Sequence, residues 1–409
     1  MTRPDAVAIV CDYRLDYLGG AQTALLEQAR ALAGSGRPVL LVAPTDPPAG
    51  AELPPGVRLL RVPARAELPG LRLPLLRNTA DLRGLLRQRL AGHGVGLVHL
   101  HSEFGLAAAA IDVAGELGLP VVHTVHTFFW RAEVPGQRLL AAAVDRFHRR
   151  LTGRPTDRPP TPLSARPGEA ALRAMTWRTA RRSSIVISPS RHQADRLREA
   201  GIDRVLELPN TLADPPEPTD PPLPYRPIKI IWLGRCAPEK RLVPFLRAAT
   251  AAIARLGPGR LRITVGGAGE QLAAARRIAA DCPDVTFLGA RPHREVPTLL
   301  RDHHLLALSS YGFDNQPMSI VEAVLAGRGV LYCDPRLTEG TTTDGRPAAG
   351  ILADGPDEAS WLRLLVGLTE DRVAAACRAA REARTLFLPE TFLTKINTGY
   401  AGLSGQRLG

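Results

Sequence analysis

The 409-residue chain lacks the features that mark membrane and secreted proteins. No apolar run approaches the roughly eighteen residues that a membrane-spanning helix needs, since the longest candidate, residues 104–122, contains Asp112 and Glu116. The apolar core of the N-terminal stretch is too short for a signal peptide. The five cysteines form no CxxC pair, which indicates free buried thiols rather than a disulfide framework. These absences predict a cytoplasmic protein.

The patterns of a metal site are missing too. The chain contains no Asp-x-Asp triplet and no cluster of His and Asp at metal-ligand spacing. We therefore expect no catalytic metal and no other cofactor.

The net charge of +12 is concentrated in one segment. Residues 138–182 carry eleven arginines and three acids, and so account for +8 of the total. In the wider region 136–182, two predicted helices flank a proline-rich basic loop. Such a patch fits an anionic membrane surface, a phosphorylated substrate, or a solvated arginine-rich surface. The first of these predicts peripheral contact of residues 138–182 with the inner face of the membrane. Nucleic acid is disfavoured, because interleaved aromatic residues and a recognition motif are both missing.

Apolar runs alternate with segments of helical periodicity, and a proline-rich segment divides the pattern. Residues 7–11 are typical of the buried parallel strands that recur along the chain. Residues 212–227 contain seven prolines, too many for the interior of a helix or a strand. We predict an N-terminal α/β domain over residues 1–210, a linker over 211–227 and a second α/β domain over 228–387.

The stretch from 309 to 327 is predicted to be a strand end, a loop and a helix. Pro317 is expected as the first helical residue, where its missing N–H costs nothing. The N–H groups of Met318, Ser319 and Ile320 would then be free at the positive end of the helix, which is an anion site.

Five groups of residues are expected at the carboxyl ends of strands. They are Gly19-Gly20, His126, Arg235 with Lys240, Gly266-Gly267 with Gly269, and Asp314 with Glu322. Each group alone has an ordinary explanation as a turn, a structural histidine or surface charge. Because ligands of parallel α/β folds bind at the carboxyl ends of strands, their joint placement predicts one site in a cleft between the domains.

The chemistry of these side chains indicates a nucleotide sugar. Arg235 and Lys240 are fixed cations that would stabilise a diphosphate leaving group. Glu322 would accept hydrogen bonds from ribose hydroxyls, and Asp314 would accept them from the hydroxyls of a sugar.

Several motifs resemble those of one enzyme family. They are GGAQTALLEQARALAGSG, VVHTVHTF, VISPSRHQADRL followed by LPNTL, WLGRCAPEKRLVPFLRA, and SSYGFDNQPMSIVEAVLAGRGVLYCD. Over nearly its whole length the chain is similar to the family 4 glycosyltransferases, which are retaining enzymes of the GT-B fold. The resemblance implies two Rossmann-like parallel-sheet domains that face each other across a cleft. It also implies a C-terminal helix, within residues 388–409, that crosses back onto the first domain.

The resemblance assigns a role to each candidate residue. His126 matches the histidine near the donor sugar, and Asp314 and Glu322 match the two ends of the family's E-x7-E motif. Asp314 would contact the donor sugar and Glu322 the ribose, with His126 and Asp314 as the catalytic residues. The resemblance implies that Gly19, Gly20, Arg235 and Lys240 bind the diphosphate, and the N–H groups of Met318 and Ser319 at the helix start complete this predicted set. The family's reaction is a front-face substitution in which the leaving phosphate acts as base.

The chain departs from the family pattern beside the donor sugar. Asp314 stands where glutamate is usual, and Asn315, Gln316 and Pro317 follow it in place of the more usual GFG. The donor sugar therefore stays open, and the acceptor could be lipid-linked, a small molecule or a natural product. Alternative functions are a GT-B-fold epimerase or phosphorylase, or a non-catalytic nucleotide-sugar-binding protein.

Overall fold

The chain divides into two compact units, and the N-terminal unit contains both ends of the chain. The computed structural model describes residues 6–16, 19–47, 53–68, 73–129, 131–342 and 349–403. One unit is Met1–Ala213 together with Pro389–Gly409, and the other is Asp214–Leu388. Within the described ranges, no helix is both long enough and apolar enough to cross a membrane.

A parallel sheet forms the centre of the N-terminal unit. Its strands are β1 (Ala6–Val10), β2 (Val39–Ala43), β3 (Val57–Arg61), β6 (Val95–Leu100), β7 (Val121–Thr124), β8 (Ile185–Ser188) and β9 (Val205–Glu207), and β4 (Glu67–Leu68) and β5 (Leu73–Pro74) form a separate antiparallel pair. The seven strands lie in the order β3-β2-β1-β6-β7-β8-β9, and every pair is parallel. β1 and β2 are buried at every position, as continuous apolar runs predict for the middle of a parallel sheet.

Helices connect these strands in the manner of a doubly wound fold. They are α1 (Gly20–Gly34), α2 (Ala80–Gly92), α3 (Gly105–Glu116), α4 (Gln137–Thr152), α5 (Pro167–Ala180) and α6 (Arg191–Glu199). α4 and α5 are the two helices predicted within the basic region, and the predicted proline-rich loop joins them. α2 begins at Ala80 because Thr79 caps it by accepting a hydrogen bond from the Leu82 N–H at 3.3 Å.

The C-terminal unit repeats this plan with a six-stranded parallel sheet. Its strands are β10 (Ile228–Leu233), β11 (Leu261–Gly266), β12 (Val285–Gly289), β13 (Leu305–Leu308), β14 (Gly329–Tyr332) and β15 (Gly350–Leu352), in the order β12-β11-β10-β13-β14-β15. Its helices are α7 (Leu242–Leu256), α8 (Leu272–Ile278), α9 (Val296–Arg301), α10 (Met318–Leu325), α11 (Glu358–Val366) and α12 (Glu370–Ala383). α11 and α12 are separate helices because α11 ends before Gly367 and Thr369 caps α12.

The last helix, α13 (Pro389–Ala401), packs into the N-terminal unit as predicted. Phe392, Ile396 and Tyr400 are buried in the same core cluster as β1, β2 and α1. The Tyr400 hydroxyl also lies 2.7 Å from Nδ1 of His99 on β6. The predicted segment 388–409 extends beyond this helix, and residues 404–409 lie outside the described residues.

Arg328 ties several segments of the C-terminal unit together without a carboxylate partner among the described residues. Its side chain is fully buried between α10 and β14. It donates hydrogen bonds to the Thr219 hydroxyl and to the backbone oxygens of Thr219, Asp220, Leu300, Arg301, Ala326 and Gly327. Burial of a guanidinium is tolerated here because carbonyl oxygens replace its water.

We expect Arg328→Met to lower the stability of the C-terminal unit by about 3 kcal/mol, because the substitution leaves buried carbonyl oxygens without donors. This loss is measured by heating the protein in the presence of a protease and recording the temperature at which peptides from the C-terminal unit are released. The matched control is Arg255→Met, since Arg255 is exposed on the last turn of α7. Equal melting temperatures for the two variants would contradict a structural role for Arg328.

Candidate active site

The two N-terminal glycines lie at the start of α1. Gly19 is the N-cap, with an extended backbone, and its N–H contacts Oε1 of Gln22 at 3.2 Å. Gly20 is the first helical residue, and a Cβ placed on it would meet no atom within 4 Å. Both glycines are exposed. The backbone at the positive end of this 15-residue helix is therefore open to a close approach by an anion.

His126 lies two residues beyond β7, at the same edge of the sheet as the start of α1. Its Nε2 is 2.7 Å from Nδ1 of His101, and the two rings stack with centroids 5.0 Å apart. Burial lowers the pKa of His126 to about 4. The imidazole is therefore neutral at physiological pH, so it can donate or accept a hydrogen bond but carries no charge.

His126 belongs to a group of neighbouring histidines, which the sequence analysis did not identify. His99, His101 and His123 lie on or just beyond β6 and β7, and burial lowers the pKa of each well below its ordinary value. His99 is also held by Gln28 at 2.8 Å and by Thr124 at 2.7 Å. The signal was available, because His99 lies within the apolar run VGLVHL and His101 directly follows it.

Two buried carboxyl groups at this edge were also missed. Asp12, directly after β1 and Cys11, caps α3 by accepting hydrogen bonds from the N–H groups of Phe104, Leu106 and Ala107 and from the Ser102 hydroxyl. Glu103 accepts from the Thr176 hydroxyl at 3.2 Å and the Tyr13 hydroxyl at 3.4 Å. Burial, followed by the nearby charge of Asp12, raises the pKa of Glu103 to about 8. Both follow strand ends, where the rule used for the other candidates applies.

In the C-terminal unit, two of the predicted site residues contact each other directly. Lys240 Nζ lies 2.5 Å from Oδ1 of Asp314, although the two are 74 residues apart. The Ser310 hydroxyl donates to the other carboxylate oxygen of Asp314. The ammonium also lies 5.6 Å from the centre of the Phe313 ring. A cation and a carboxylate are thus in direct contact at the carboxyl edge of the sheet.

The backbone of Lys240 is held by side chains on or next to two strands of the sheet. The Ser309 hydroxyl donates to the Lys240 carbonyl oxygen at 2.7 Å and accepts from Nε1 of Trp232 at 2.9 Å. The next residue, Arg241, has a φ of 55° and is the one non-glycine residue with positive φ in the described part of the chain. Positive φ at a non-glycine residue costs about 1 kcal/mol of backbone strain. The contacts around Lys240 therefore hold its backbone in place against this strain.

The remaining candidates of this unit lie on α10 and on the loop after β10. Arg235 is about half exposed and forms an ion pair with Glu239 at 2.5 Å. Glu322 is buried on α10, and its Oε1 lies 2.7 Å from Nε2 of His293. His293 was not expected to contact it, because the two residues lie on different elements 29 positions apart.

The start of α10 differs in one respect from the prediction. Pro317 is the N-cap, with a ψ of 131°, so the helix begins at Met318. The prediction that Pro317 is the first helical residue is therefore wrong. The Ile320 N–H is not free either, because it donates to the Pro317 carbonyl oxygen at 3.0 Å. The N–H groups of Met318 and Ser319 have no protein acceptor among the described residues, and they keep the predicted anion-binding geometry.

The predicted glycine-rich turn after β11 has a structural role. Gly267 and Gly269 have φ values of 147° and 149°. A Cβ on Gly267 would lie 1.8 Å from the Gly234 carbonyl oxygen, and one on Gly269 would lie 2.5 Å from that of Cys236. The absence of side chains lets this turn pack against the backbone of the loop that carries Arg235.

Comparison with known proteins places the chain beside sugar-transferring enzymes. The model of Glycosyltransferase Family 4 matches residues 18–212. A D-inositol 3-phosphate glycosyltransferase from Salinispora arenicola (strain CNS-205) is 28% identical over 406 residues, covering 89% of this chain and 83% of that protein. The resemblance to family 4 glycosyltransferases is confirmed, and with it the prediction of a glycosyltransferase enzyme.

Solved structures support the fold over the whole length. Anabaena HepE in complex with UDP matches with a TM-score of 0.66 at 16% identity, covering 97% of this chain and 100% of that one. The pneumococcal O-GlcNAc transferase GtfA in complex with UDP and GlcNAc matches with a TM-score of 0.68 at 10% identity, covering 98% and 99%. The predicted GT-B fold of two parallel-sheet α/β domains is confirmed.

The buried histidines predict a pH-dependent stability of the N-terminal unit. An unfolded histidine takes up a proton near pH 6.5, whereas the folded unit holds the pKa of His126 to about 4 and that of His123 to about 3. Between about pH 6.5 and 4 the unfolded chain binds more protons, so stability falls with falling pH by up to about 1.4 kcal/mol per histidine and pH unit.

This loss is measured by heating the protein with a protease at pH 7.5 and at pH 5 and recording the temperature at which peptides from residues 95–124 are released. His126→Gln should weaken the pH dependence, and His93→Gln, outside the cluster, should not. The same pH dependence in both variants would contradict the neutral state of His126.

Proposed function

We propose that this chain, a glycosyltransferase by its similarity to family 4 enzymes, is a retaining enzyme that uses a UDP-sugar donor and no metal ion or other cofactor. The observation that supports the donor assignment best is the contact of Lys240 with Asp314 beside the start of α10. It combines a cation for a phosphate, a carboxylate for sugar hydroxyls and free N–H groups for a second anion. UDP is the proposed nucleotide because the related HepE and GtfA structures contain UDP.

The leaving nucleoside diphosphate gains negative charge as its bond to the sugar breaks. Lys240 and Arg235 supply positive charge for it, and the Met318 and Ser319 N–H groups add hydrogen bonds at a helix N-terminus. Because these groups are already in position when the donor binds, stabilising the leaving group costs no reorganisation during the reaction. Asp314 holds Lys240 at 2.5 Å and would exchange this partner for the donor when the phosphate binds the ammonium.

Glu322 and His126 bind the two sugar rings of the donor in this proposal. Glu322 accepts from the ribose hydroxyls, and His293 orients its carboxylate from 2.7 Å. His126 is neutral, so its ring can donate a hydrogen bond to a hydroxyl of the donor sugar or accept one from it. Gly19 and Gly20 allow phosphate or acceptor to approach the backbone closely.

In a retaining front-face substitution, the bond from the anomeric carbon to the phosphate oxygen breaks first. The acceptor hydroxyl then bonds to that carbon on the same face, and its proton passes to the departing phosphate oxygen. The protein needs no base of its own for this step. The residues named above would act by stabilising charge and by positioning the donor.

We expect Lys240→Ala to reduce hydrolysis of UDP-glucose by about 10²–10³-fold, because it removes a charge that acts as the leaving group forms. Glu322→Gln should weaken UDP binding about tenfold or more, because a charged acceptor is lost. Calorimetry with UDP and an assay of UDP release measure the two effects.

The matched control for both variants is Arg247→Ala, whose exposed guanidinium pairs with Glu358. Unchanged turnover in Lys240→Ala and unchanged UDP affinity in Glu322→Gln would contradict the donor assignment. Binding of UDP without turnover of any UDP-sugar would favour a non-catalytic nucleotide-sugar-binding protein.

The proposal extends to an acceptor at an anionic membrane surface. The outer face of α4 presents four exposed arginines, Arg138, Arg146, Arg149 and Arg150. Beside them, Leu139 is 78% exposed and Val134 is 49% exposed. Basic side chains around exposed apolar ones match the headgroup region of acidic lipids.

Sedimentation with vesicles tests this contact. The chain should bind vesicles that contain phosphatidylserine and release them as salt rises. Arg146→Glu with Arg149→Glu should weaken binding several-fold, whereas Arg255→Glu with Arg276→Glu, on α7 and α8, should not. Equal binding to neutral phosphatidylcholine vesicles would reject the proposal.

A further inference from the structure

His101 packs against two other histidines at the carboxyl edge of the N-terminal sheet. It directly follows β6 and is 2% exposed. The centre of its ring lies 4.6 Å from that of His99 and 5.0 Å from that of His126. Its Nδ1 lies 2.7 Å from Nε2 of His126. The ring of His101 is therefore held in one orientation, with one nitrogen directed at His126.

A hydrogen must lie between these two nitrogens, because 2.7 Å is a hydrogen-bond distance and two facing lone pairs would repel each other. Burial keeps both rings neutral, since it lowers the pKa of His101 well below its ordinary value and that of His126 to about 4. A neutral imidazole carries one N–H. Either Nδ1 of His101 donates to Nε2 of His126, or Nε2 of His126 donates to Nδ1 of His101.

The second nitrogen of His101 decides between these two arrangements. Nε2 of His101 is buried and has no hydrogen-bond partner in the part of the chain that the structure describes. If His126 donated, this nitrogen would have to carry the proton of His101, and its N–H would be buried without an acceptor. Buried N–H groups without an acceptor are rarer in native proteins than acceptors without a donor. The proton of His101 therefore lies on Nδ1.

The tautomer of His126 follows from that of His101. Because Nε2 of His126 accepts, the single proton of its ring lies on Nδ1. Among the described residues, none forms a hydrogen bond with this second nitrogen, and the His126 side chain is only half-buried. His126 can therefore offer an N–H, and not a lone pair, to a bound group.

We propose that His101 is a positioning residue, which holds His126 in the Nδ1–H tautomer so that His126 donates a hydrogen bond to the donor sugar. This inference rests on the proposed role of His126 beside that sugar. A hydroxyl that accepts from His126 keeps its own O–H for a carboxylate, whereas a hydroxyl that donated to a lone pair of His126 would not. His101 acts only through His126, because the hydrogen bond at one ring nitrogen decides which form the other nitrogen takes.

The two tautomers are read directly by NMR on the full chain labelled with ¹⁵N-histidine. Long-range ¹H–¹⁵N correlations at pH 7.5 show which ring nitrogen carries the proton, and the signals are assigned by their loss in the His101→Phe and His126→Ala variants. Both histidines should carry the proton on Nδ1. A proton on Nε2 of His126 would overturn the proposal, whether or not the chain transfers sugar.

His101→Phe keeps an aromatic ring but removes the donor to His126. The ¹⁵N signals of His126 should then shift towards exchange between the two tautomers. The value of kcat/KM for hydrolysis of UDP-glucose should fall about tenfold, while the affinity for UDP, which lacks the donor sugar, should stay the same. In a chain that already carries His126→Ala, His101→Phe should cause no further loss, because the two residues act as one unit.

The matched control is His123→Phe. His123 is 1% exposed on β7, and within the described ranges no hydrogen bond joins it to His101 or His126. It should leave the His126 signals and the turnover of UDP-glucose as they are in the parent chain.

An unchanged His126 tautomer in His101→Phe would overturn the role of His101, as would a further loss of turnover when this substitution is added to His126→Ala. A parent chain that shows the expected tautomers but turns over no UDP-sugar would contradict the proposed function and leave the tautomer assignment supported. The two proposals can therefore fail separately.

Discussion

Parallel pairing of strands is the constraint from which the functional regions of this chain follow. Every hydrogen-bonded pair in the two large sheets is parallel, so each strand must be followed by a crossover, and all strands of a sheet end at one edge. The middle strands are apolar throughout because helices cover both faces. Polar side chains are therefore left with the carboxyl ends of the strands. His126 after β7, Lys240 beyond β10 and Asp314 beyond β13 all lie where the backbone leaves a sheet.

Two kinds of buried basic side chain occur in this chain, neutral histidines and a charged arginine. In the N-terminal unit the buried histidines are kept neutral, because desolvation moves their pKa values below physiological pH. In the C-terminal unit Arg328 keeps its charge, and a set of carbonyl oxygens surrounds it. The first arrangement depends on pH because a neutral histidine can take up a proton, and the second does not because the guanidinium is already charged.

The strands were predictable from the sequence, and much of the site's contact pattern was not. β2, β8, β10 and β14 begin and end where their apolar runs do. The break between α11 and α12 also has a local signal, because Gly367 and Thr369 are ordinary stop and cap residues. Lys240 and Asp314 were each named from their strand ends. Their contact, and those of His101 with His126 and of His293 with Glu322, join different elements, and such pairs leave no mark in local sequence periodicity.

The position of α13 has a consequence for how the protein is made. Its residues Phe392, Ile396 and Tyr400 complete the core around β1 and α1, and Tyr400 satisfies His99 on β6. A ribosome releases the first 213 residues long before it reaches this helix. The first unit to emerge is therefore the last to be completed, and it waits with an uncovered apolar surface while the whole of the second unit is synthesised.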